Sequence, residues 1–172
     1  MFHSVRNFGR FFVTIIAAIG ITTPALHASQ NGQGETDPNA IVGSWLETVT
    51  FPAESGRPPL QSLSSYHADH TAACSDQGSV TVNSDMPGVF SACHGAWKHI
   101  EKRKFVATFL ELISDLSGNL VGYLRVRTLY TVAQSGDDYT GSSLAEILDT
   151  DGNVVFSVTV ANSGKRIQAY LP

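Results

Sequence analysis

The two longest alternating segments of the chain lie in its middle, at residues 104–113 and 119–133. Valine, leucine, isoleucine and aromatic side chains fill most positions of both parities in these segments. A period of two is typical of β-strands, and a strand with two apolar faces needs cover on both sides or a lumen on one side. Asp, Ser and Gly occupy the connection at residues 114–118, so the two segments are predicted to form a hairpin.

Shorter alternating segments continue this pattern before and after the hairpin. Further strands are predicted at residues 41–51, 60–68, 71–75, 93–100, 138–148, 154–161 and 165–171. Residues 76–92 are mostly Gly, Ser, Asp and Pro and predict a long loop, with a short strand at 80–82. Turns are predicted at 149–153, with the sequence Asp-Thr-Asp-Gly-Asn, and at 162–164, with Asn-Ser-Gly.

The strands follow one another with short turns, which predicts an antiparallel meander of eight or nine strands. No segment after Ser29 has a sustained helical period. A meander of this many twisted strands tends to close, because closure removes both exposed edges. A β-sandwich is the alternative, but its Greek-key crossings need longer connections. We therefore predict an all-β fold, a single antiparallel up-and-down barrel.

The first 28 residues have the pattern of a signal peptide. Arg6 and Arg10 precede an apolar run at 11–21, and residues 24–28 resemble a cleavage region that ends before Ser29. The run is too short to span a membrane, although an uncleaved anchor is the alternative. We expect a secreted or periplasmic protein with a flexible leader at 29–40, a barrel domain at 41–172 and no integral membrane segment in the mature chain.

The net charge limits the classes of partner, and the cysteine content indicates the cellular compartment. The formal net charge is −4, which argues against a nucleic-acid binder because such proteins normally carry a basic patch. Cys74 and Cys93 are expected to form a disulfide in an oxidising compartment. Free structural thiols and a metal-binding pair are the alternatives. The sequence does not predict the oligomeric state.

Gly43-Ser44-Trp45 lies in the first predicted strand, after the polar leader. This segment resembles the Gly-x-Trp motif with which lipocalins and related calycin barrels begin. The resemblance implies that Trp45 closes one end of the barrel and that Arg166, in the last strand, packs across its ring. A guanidinium over an indole is a favourable cation–π contact. The resemblance also implies a cavity for a small apolar molecule.

Charged residues within the apolar strands are the first candidates for a binding site. With the turns as predicted, Arg125 falls opposite Ala107 on one side and Glu146 on the other, while Arg127 and Tyr123 share its face. If these side chains point outward, they form a cross-strand charge ladder. If they point inward, they form a buried network with Glu111 that binds a carboxylate or polarises a carbonyl.

Histidines are the second candidates. His67 and His94 would hydrogen-bond a ligand if they met across neighbouring strands, and the alternative is a surface position. The spacing of the histidines offers no convergent set of three or four zinc ligands, so no metal is predicted. No phosphate loop or nucleophile elbow is present in the sequence, and no cofactor is predicted.

These patterns lead to one functional expectation and two alternatives. We expect an exported lipocalin-like barrel that binds a small hydrophobic or amphipathic molecule in its lumen. The alternatives are a cofactor-free cyclase or isomerase for a small hydrophobic substrate, and an extracytoplasmic interaction module that uses loop 76–92. The candidate ligand-binding residues are Arg125, Arg127, His67, His94, Glu111, Glu146 and Tyr123.

Overall fold

The computed structural model describes residues 36–77, 80–81 and 88–171. Ten strands and one short 3₁₀ helix, η1, lie in these ranges. The elements are β1 (Gly43–Thr50), η1 (Ala53–Ser55), β2 (Leu60–Tyr66), β3 (Thr71–Asp76), β4 (Val80–Thr81), β5 (Gly88–Phe90), β6 (Cys93–Glu101), β7 (Lys104–Ser114), β8 (Leu120–Val132), β9 (Asp138–Leu148) and β10 (Val154–Arg166). The expected signal peptide and most of the expected leader lie outside the described residues.

Eight of the strands close an antiparallel barrel. Its strand order is β1-β2-β3-β6-β7-β8-β9-β10, and β10 returns to pair with β1. Each strand pairs with its neighbours along this order, so the predicted all-β up-and-down barrel is confirmed. β4 and β5 form an additional hairpin, and β5 pairs with the end of β7. Most of the predicted loop 76–92 is therefore either in this hairpin or outside the described residues.

The predicted turn at residues 162–164 is wrong. These residues lie within β10, which runs without interruption to Arg166 and replaces the two short strands that were expected. The side chain of Asn162 is buried inside the barrel, where it joins a polar network. Gly164 lies against the ring of Tyr139, where an added Cβ would collide with the ring. The Asn-Ser-Gly sequence thus serves interior packing rather than chain reversal.

The predicted register of the central hairpin is also wrong. Arg125 pairs with Glu146 as expected, but its partner on β7 is Leu110 rather than Ala107. A hydrogen bond closes the hairpin: the backbone N–H of Asp115 donates to the carbonyl of Asn119, with an N–O distance of 2.8 Å. A bulge at the start of β8, where Val121 is the extra residue, adds one further step, so β8 is displaced along β7.

Aromatic side chains close one end of the barrel. Trp45, Tyr66, Phe105, Tyr130 and Tyr139 are each 2% exposed or less. Ring centroids lie 4.8 Å apart for Trp45 and Tyr139, and 4.7 Å apart for Tyr130 and Tyr139. These tilted pairs contribute about 0.5–1.5 kcal/mol each beyond the area that they bury. They form a closed floor beneath the interior.

Arg166 fixes Trp45 in this floor. Its guanidinium carbon lies 4.2 Å from the centroid of the Trp45 ring, which is the contact that the lipocalin resemblance implies. The guanidinium also donates hydrogen bonds of 2.6–2.7 Å to the backbone carbonyls of Ala40, Val42 and Gly136. Gly43 has a φ of +130° and lies directly against the guanidinium, so a side chain there would displace Arg166.

Candidate ligand-binding cavity

The barrel interior holds a cavity of about 1280 Å³ above the aromatic floor. Protein sites for small organic ligands commonly occupy 300–1,000 Å³, so this volume is ample for one such molecule. The strand ends and loops opposite the aromatic floor form its rim. Apolar side chains line the wall below this rim, among them Val49, Leu60, Ile113, Leu124, Ile147 and Val158.

A band of polar side chains lies deeper in the cavity. On three neighbouring strands, Ser62 pairs in register with Glu47 on one side and Asp76 on the other. The three residues therefore point inward, because cross-strand partners share a face. Glu47 and Ser62 are buried, at 5% and 4% exposure, and Asp76 is partly buried.

A chain of hydrogen bonds ends on Glu47. The Ser143 hydroxyl donates to the side-chain oxygen of Asn162 at 2.7 Å, and the Asn162 amide donates to the carboxylate of Glu47. Thr128 and Ser143 hydroxyl oxygens lie 2.6 Å apart. Since Ser143 has only one proton and gives it to Asn162, Thr128 is the donor in this pair. Every donor in the chain therefore points towards Glu47.

The carboxyl groups of the cavity have raised pKa values. Burial raises the pKa of Glu47 to about 7. Burial, with the charge of Asp76 as a smaller cause, raises the pKa of Glu111 to about 8. Burial also raises the pKa of Asp76. The cavity thus holds two acidic groups, Glu47 and Glu111, that gain or lose protons near neutral pH.

The predicted disulfide between Cys74 and Cys93 is confirmed. It joins β3 to β6, with a Cα–Cα distance of 4.9 Å, and Cys74 lines the cavity. A carboxylate oxygen of Glu111 lies within 4.8 Å of both sulfur atoms. The crosslink therefore fixes the wall beside Glu111, at the base of the segment that carries β4 and β5.

Arg125, Arg127 and Glu146 lie on the outer face of the barrel. Glu146 accepts hydrogen bonds from Nε of Arg125 at 2.9 Å and from Nη2 of Arg127 at 3.0 Å. The hydrogen bond from Arg125 is the largest cause of a lowered pKa at Glu146. This is the outward charge ladder, one of the two arrangements considered from the sequence. None of the three side chains lines the cavity.

The remaining sequence candidates are spread over the molecule. His67 is exposed at the turn that follows β2, His94 is exposed on the outer face of β6, and Tyr123 lies half-buried on the outer face of β8. Glu111 is the one member of the seven that lines the cavity. The sequence left open whether the candidates meet in the lumen or lie on the surface, and the structure does not bring them together.

Sequence reasoning missed most of the polar residues in the cavity. Glu47 lies two positions after Trp45 on the same strand, so both side chains share a face. Placing Trp45 inside, as the lipocalin resemblance implies, was therefore enough to place Glu47 inside as well. The serines of β2 and β9 gave no comparable signal, because serine is common on either face of a strand.

No protein-family model, curated protein or solved structure matches this chain. The closed antiparallel barrel is compatible with a lipocalin-like fold. Within the residues that the structure describes, no helix has the length and apolar character needed to cross a membrane. The residues that line the cavity are therefore the main guide to function.

Proposed function

We propose that the barrel binds a small hydrophobic or amphipathic molecule in its lumen. One observation carries this proposal: the lining has an apolar upper wall and a polar band beneath it. An amphipathic molecule that enters with its polar group first would match both layers. Burial of its apolar part would supply about 25 cal/mol per Å² of surface removed from water, before the costs of association.

Unpaired polar atoms at the floor end of the barrel support the same orientation. The hydroxyl oxygens of Ser64, Tyr66 and Tyr139 are buried and have no hydrogen-bond partner among the described residues. A buried polar group without a partner costs about 1–3 kcal/mol. A polar ligand group close to Ser64, which lines the cavity, would recover part of that energy.

Titration with the neutral fluorescent probe N-phenyl-1-naphthylamine tests the proposal. We expect saturable binding, and we expect Ala145→Trp to abolish it, because Ala145 lines the cavity and a larger side chain would fill the space. Ala161→Trp is the matched control, because Ala161 is exposed on β10 and does not line the cavity. Absence of saturable binding, or equal binding by both variants, would contradict the proposal.

Export is the second part of the proposal. The disulfide is typical of an oxidising compartment, which agrees with the signal-like sequence of residues 1–28. Expression of the full chain, followed by cell fractionation and mass spectrometry, would test it. We expect the mature protein outside the cytoplasm with Ser29 as its first residue. A full-length chain that stays in the cytoplasm with reduced cysteines would contradict this expectation.

A cofactor-free isomerase or cyclase is the second candidate function. It is favoured by Glu47 and Glu111, because carboxyl groups with a pKa near neutrality serve well as general acids or bases. Incubation with unsaturated lipids and isoprenoids would test it by chromatography and mass spectrometry. We expect a product of unchanged mass and altered retention that Glu111→Gln or Glu47→Gln abolishes. Recovery of every compound unchanged would favour binding alone.

A further inference from the structure

The charges that line the cavity are strongly unbalanced. Glu47, Asp76 and Glu111 line it. Among the described residues, Arg57 is the one basic residue in the lining. Arg57 is exposed at the rim, where its guanidinium carbon lies 4.1 Å from the centroid of the Phe51 ring. These three carboxyl groups therefore have no cationic side chain near them in the described lining.

The acidic residue Asp149, near the rim, already accepts hydrogen bonds from its own turn. Asp149 lies at the rim, and its carboxylate accepts the backbone N–H groups of Asp151 and Asn153 at 3.0 and 2.8 Å. These bonds hold the turn between β9 and β10. Asp149 is thus part of the turn, whereas Glu111 lines the cavity and takes no part in a turn.

Glu111 is the least satisfied of these three carboxyl groups. Its side chain is 4% exposed, and no hydrogen bond from a described residue is among the causes that set its pKa. Its near neighbours are the Cys74–Cys93 disulfide, which is not a charged donor, and Asp76, whose charge disfavours ionisation of Glu111. A second unpartnered group, the hydroxyl of Ser64, is 2% exposed and also lines the cavity.

An anionic ligand would add a like charge to this environment. A cationic group would instead form charge-assisted hydrogen bonds with the carboxylates, which are stronger than neutral hydrogen bonds. A buried charge without a partner is unfavourable, and a cation would remove that penalty for more than one carboxyl group. The apolar upper wall would then hold the hydrocarbon part of the same molecule.

We propose that the preferred ligand is an amphipathic amine, whose cationic head is bound by Glu111 and Asp76 and whose apolar part lies along the upper wall. This inference rests on the proposed binding function and specifies its substrate class. The head lies beside the disulfide, and Glu47 adds to the negative field from the neighbouring strand. Fatty acids and other carboxylate amphiphiles are disfavoured by the same groups.

Competition against bound N-phenyl-1-naphthylamine tests this inference with three matched compounds: dodecylamine, dodecanol and dodecanoate. All three have the same number of carbon atoms, and each is used at pH 8 below its solubility limit and its critical micelle concentration. We expect dodecylamine to displace the probe at a concentration at least about tenfold lower than dodecanoate, as a single charge-assisted contact would provide. Dodecanol should fall between them.

Two variants locate the binding site of the cation. Glu111→Gln should remove most of the preference for dodecylamine and leave the affinity for dodecanol nearly unchanged, and Asp76→Asn should reduce the preference as well. Glu146→Gln removes a carboxylate from the outer face and is the matched control, because Glu146 does not line the cavity. Near-ultraviolet circular dichroism confirms that each variant is folded.

The outcomes separate this inference from the binding function. Equal displacement by all three compounds would overturn the amine preference and leave lumen binding intact. Failure of the probe itself to bind would overturn both. Dodecylamine binding that survives Ala145→Trp, as measured directly by isothermal titration calorimetry, would be adsorption to the negatively charged outer surface and would also overturn the inference. A preference that Glu111→Gln abolishes and Glu146→Gln preserves would support it.

Discussion

Glu111 and Glu146 lie on opposite faces of the same barrel wall and are almost equally exposed, at 4% and 6%. Their pKa values nevertheless move in opposite directions. Burial raises the pKa of Glu111 to about 8, while the hydrogen bond from Arg125 leads the causes that lower the pKa of Glu146. The comparison teaches that partners, rather than accessible surface alone, decide whether a carboxyl group is ionised.

The strand between them explains the difference. β8 pairs with β7 through Leu124 and Glu111, and with β9 through Arg125 and Glu146. Consecutive residues of a strand point to opposite faces, so Leu124 faces the lumen and Arg125 faces outward. The cation that holds Glu146 therefore cannot reach Glu111. The inner face retains an unpaired acid next to apolar side chains, and the outer face has a satisfied ladder.

The largest expected effect is on the pH dependence of folding stability. The pKa of Glu111 in the folded protein lies above its unfolded value of 4.5. The contribution of Glu111 to the free energy of unfolding is therefore fully present below pH 4.5. That contribution is lost as the pH rises through about 8. One pKa unit corresponds to about 1.4 kcal/mol, so ligand-free protein should lose a few kcal/mol over this range. Glu111→Gln should remove much of the loss, as measured by denaturant unfolding at a series of pH values.

Glu146→Gln is the control for this measurement, because it also replaces one glutamate by glutamine. It should leave the loss of stability above pH 5 unchanged. Glu47 and Asp76 also have raised pKa values, so a smaller decline should persist in Glu111→Gln. If Glu111→Gln and wild type decline equally, Glu111 is not the buried acid described above.

An intermediate effect is expected from one added methyl group on the inner face of β10. Gly164→Ala should lower the free energy of unfolding by about 1–3 kcal/mol, as overpacked cores do. The new Cβ would meet the ring of Tyr139, which Trp45 and Tyr130 hold on two sides. Where space allows, alanine in a strand is more stable than glycine by about 0.5–1 kcal/mol. A loss of stability in Gly164→Ala would therefore identify the collision with the Tyr139 ring as its cause.

Ser163→Ala is the outer-face counterpart of this substitution. Ser163 is exposed and adjacent in sequence, so its change should move the unfolding midpoint very little. A large loss of stability at Gly164 beside a small one at Ser163 is expected, because Gly164 lies on the inner face of β10 and Ser163 on its outer face. A similar loss in both variants would instead indicate that β10 is distorted as a whole by either change.

The fold could be predicted from the sequence largely because its signals are local. Alternating apolar positions and Asp-x-x-Gly-Asn turns at 115–119 and 149–153 indicate successive hairpins, and short connections leave few ways to join them. The failure at Asn162 and Gly164 has a physical cause. Both residues are common in turns, and only the packing of Tyr139 and the hydrogen bond from Ser143 explain their place in a strand.

The candidate site was harder to predict because it depends on the direction of each strand face. Arg125 and Arg127 attract attention in an apolar sequence, yet they lie outside because β8 presents them there to Glu146. Asp76 lies at the edge of a segment that reads as loop, so its inward direction follows only from its pairing with Ser62. Register across strands, which turn sequences fix only approximately, decides these positions.

The smallest expected effect is on the outer face, where Glu146→Gln should reduce stability only slightly at neutral pH. Arg125 and Arg127 are partly exposed, and solvent screens their interaction with Glu146. The lowered pKa of Glu146 means that its contribution is present above the unfolded value of 4.5 and is lost as the pH falls through the folded pKa. Denaturant unfolding of wild type and Glu146→Gln should therefore converge in acid and in high salt. A difference that persists under both conditions would show that packing of the Glu146 side chain, rather than its charge, stabilises the outer wall.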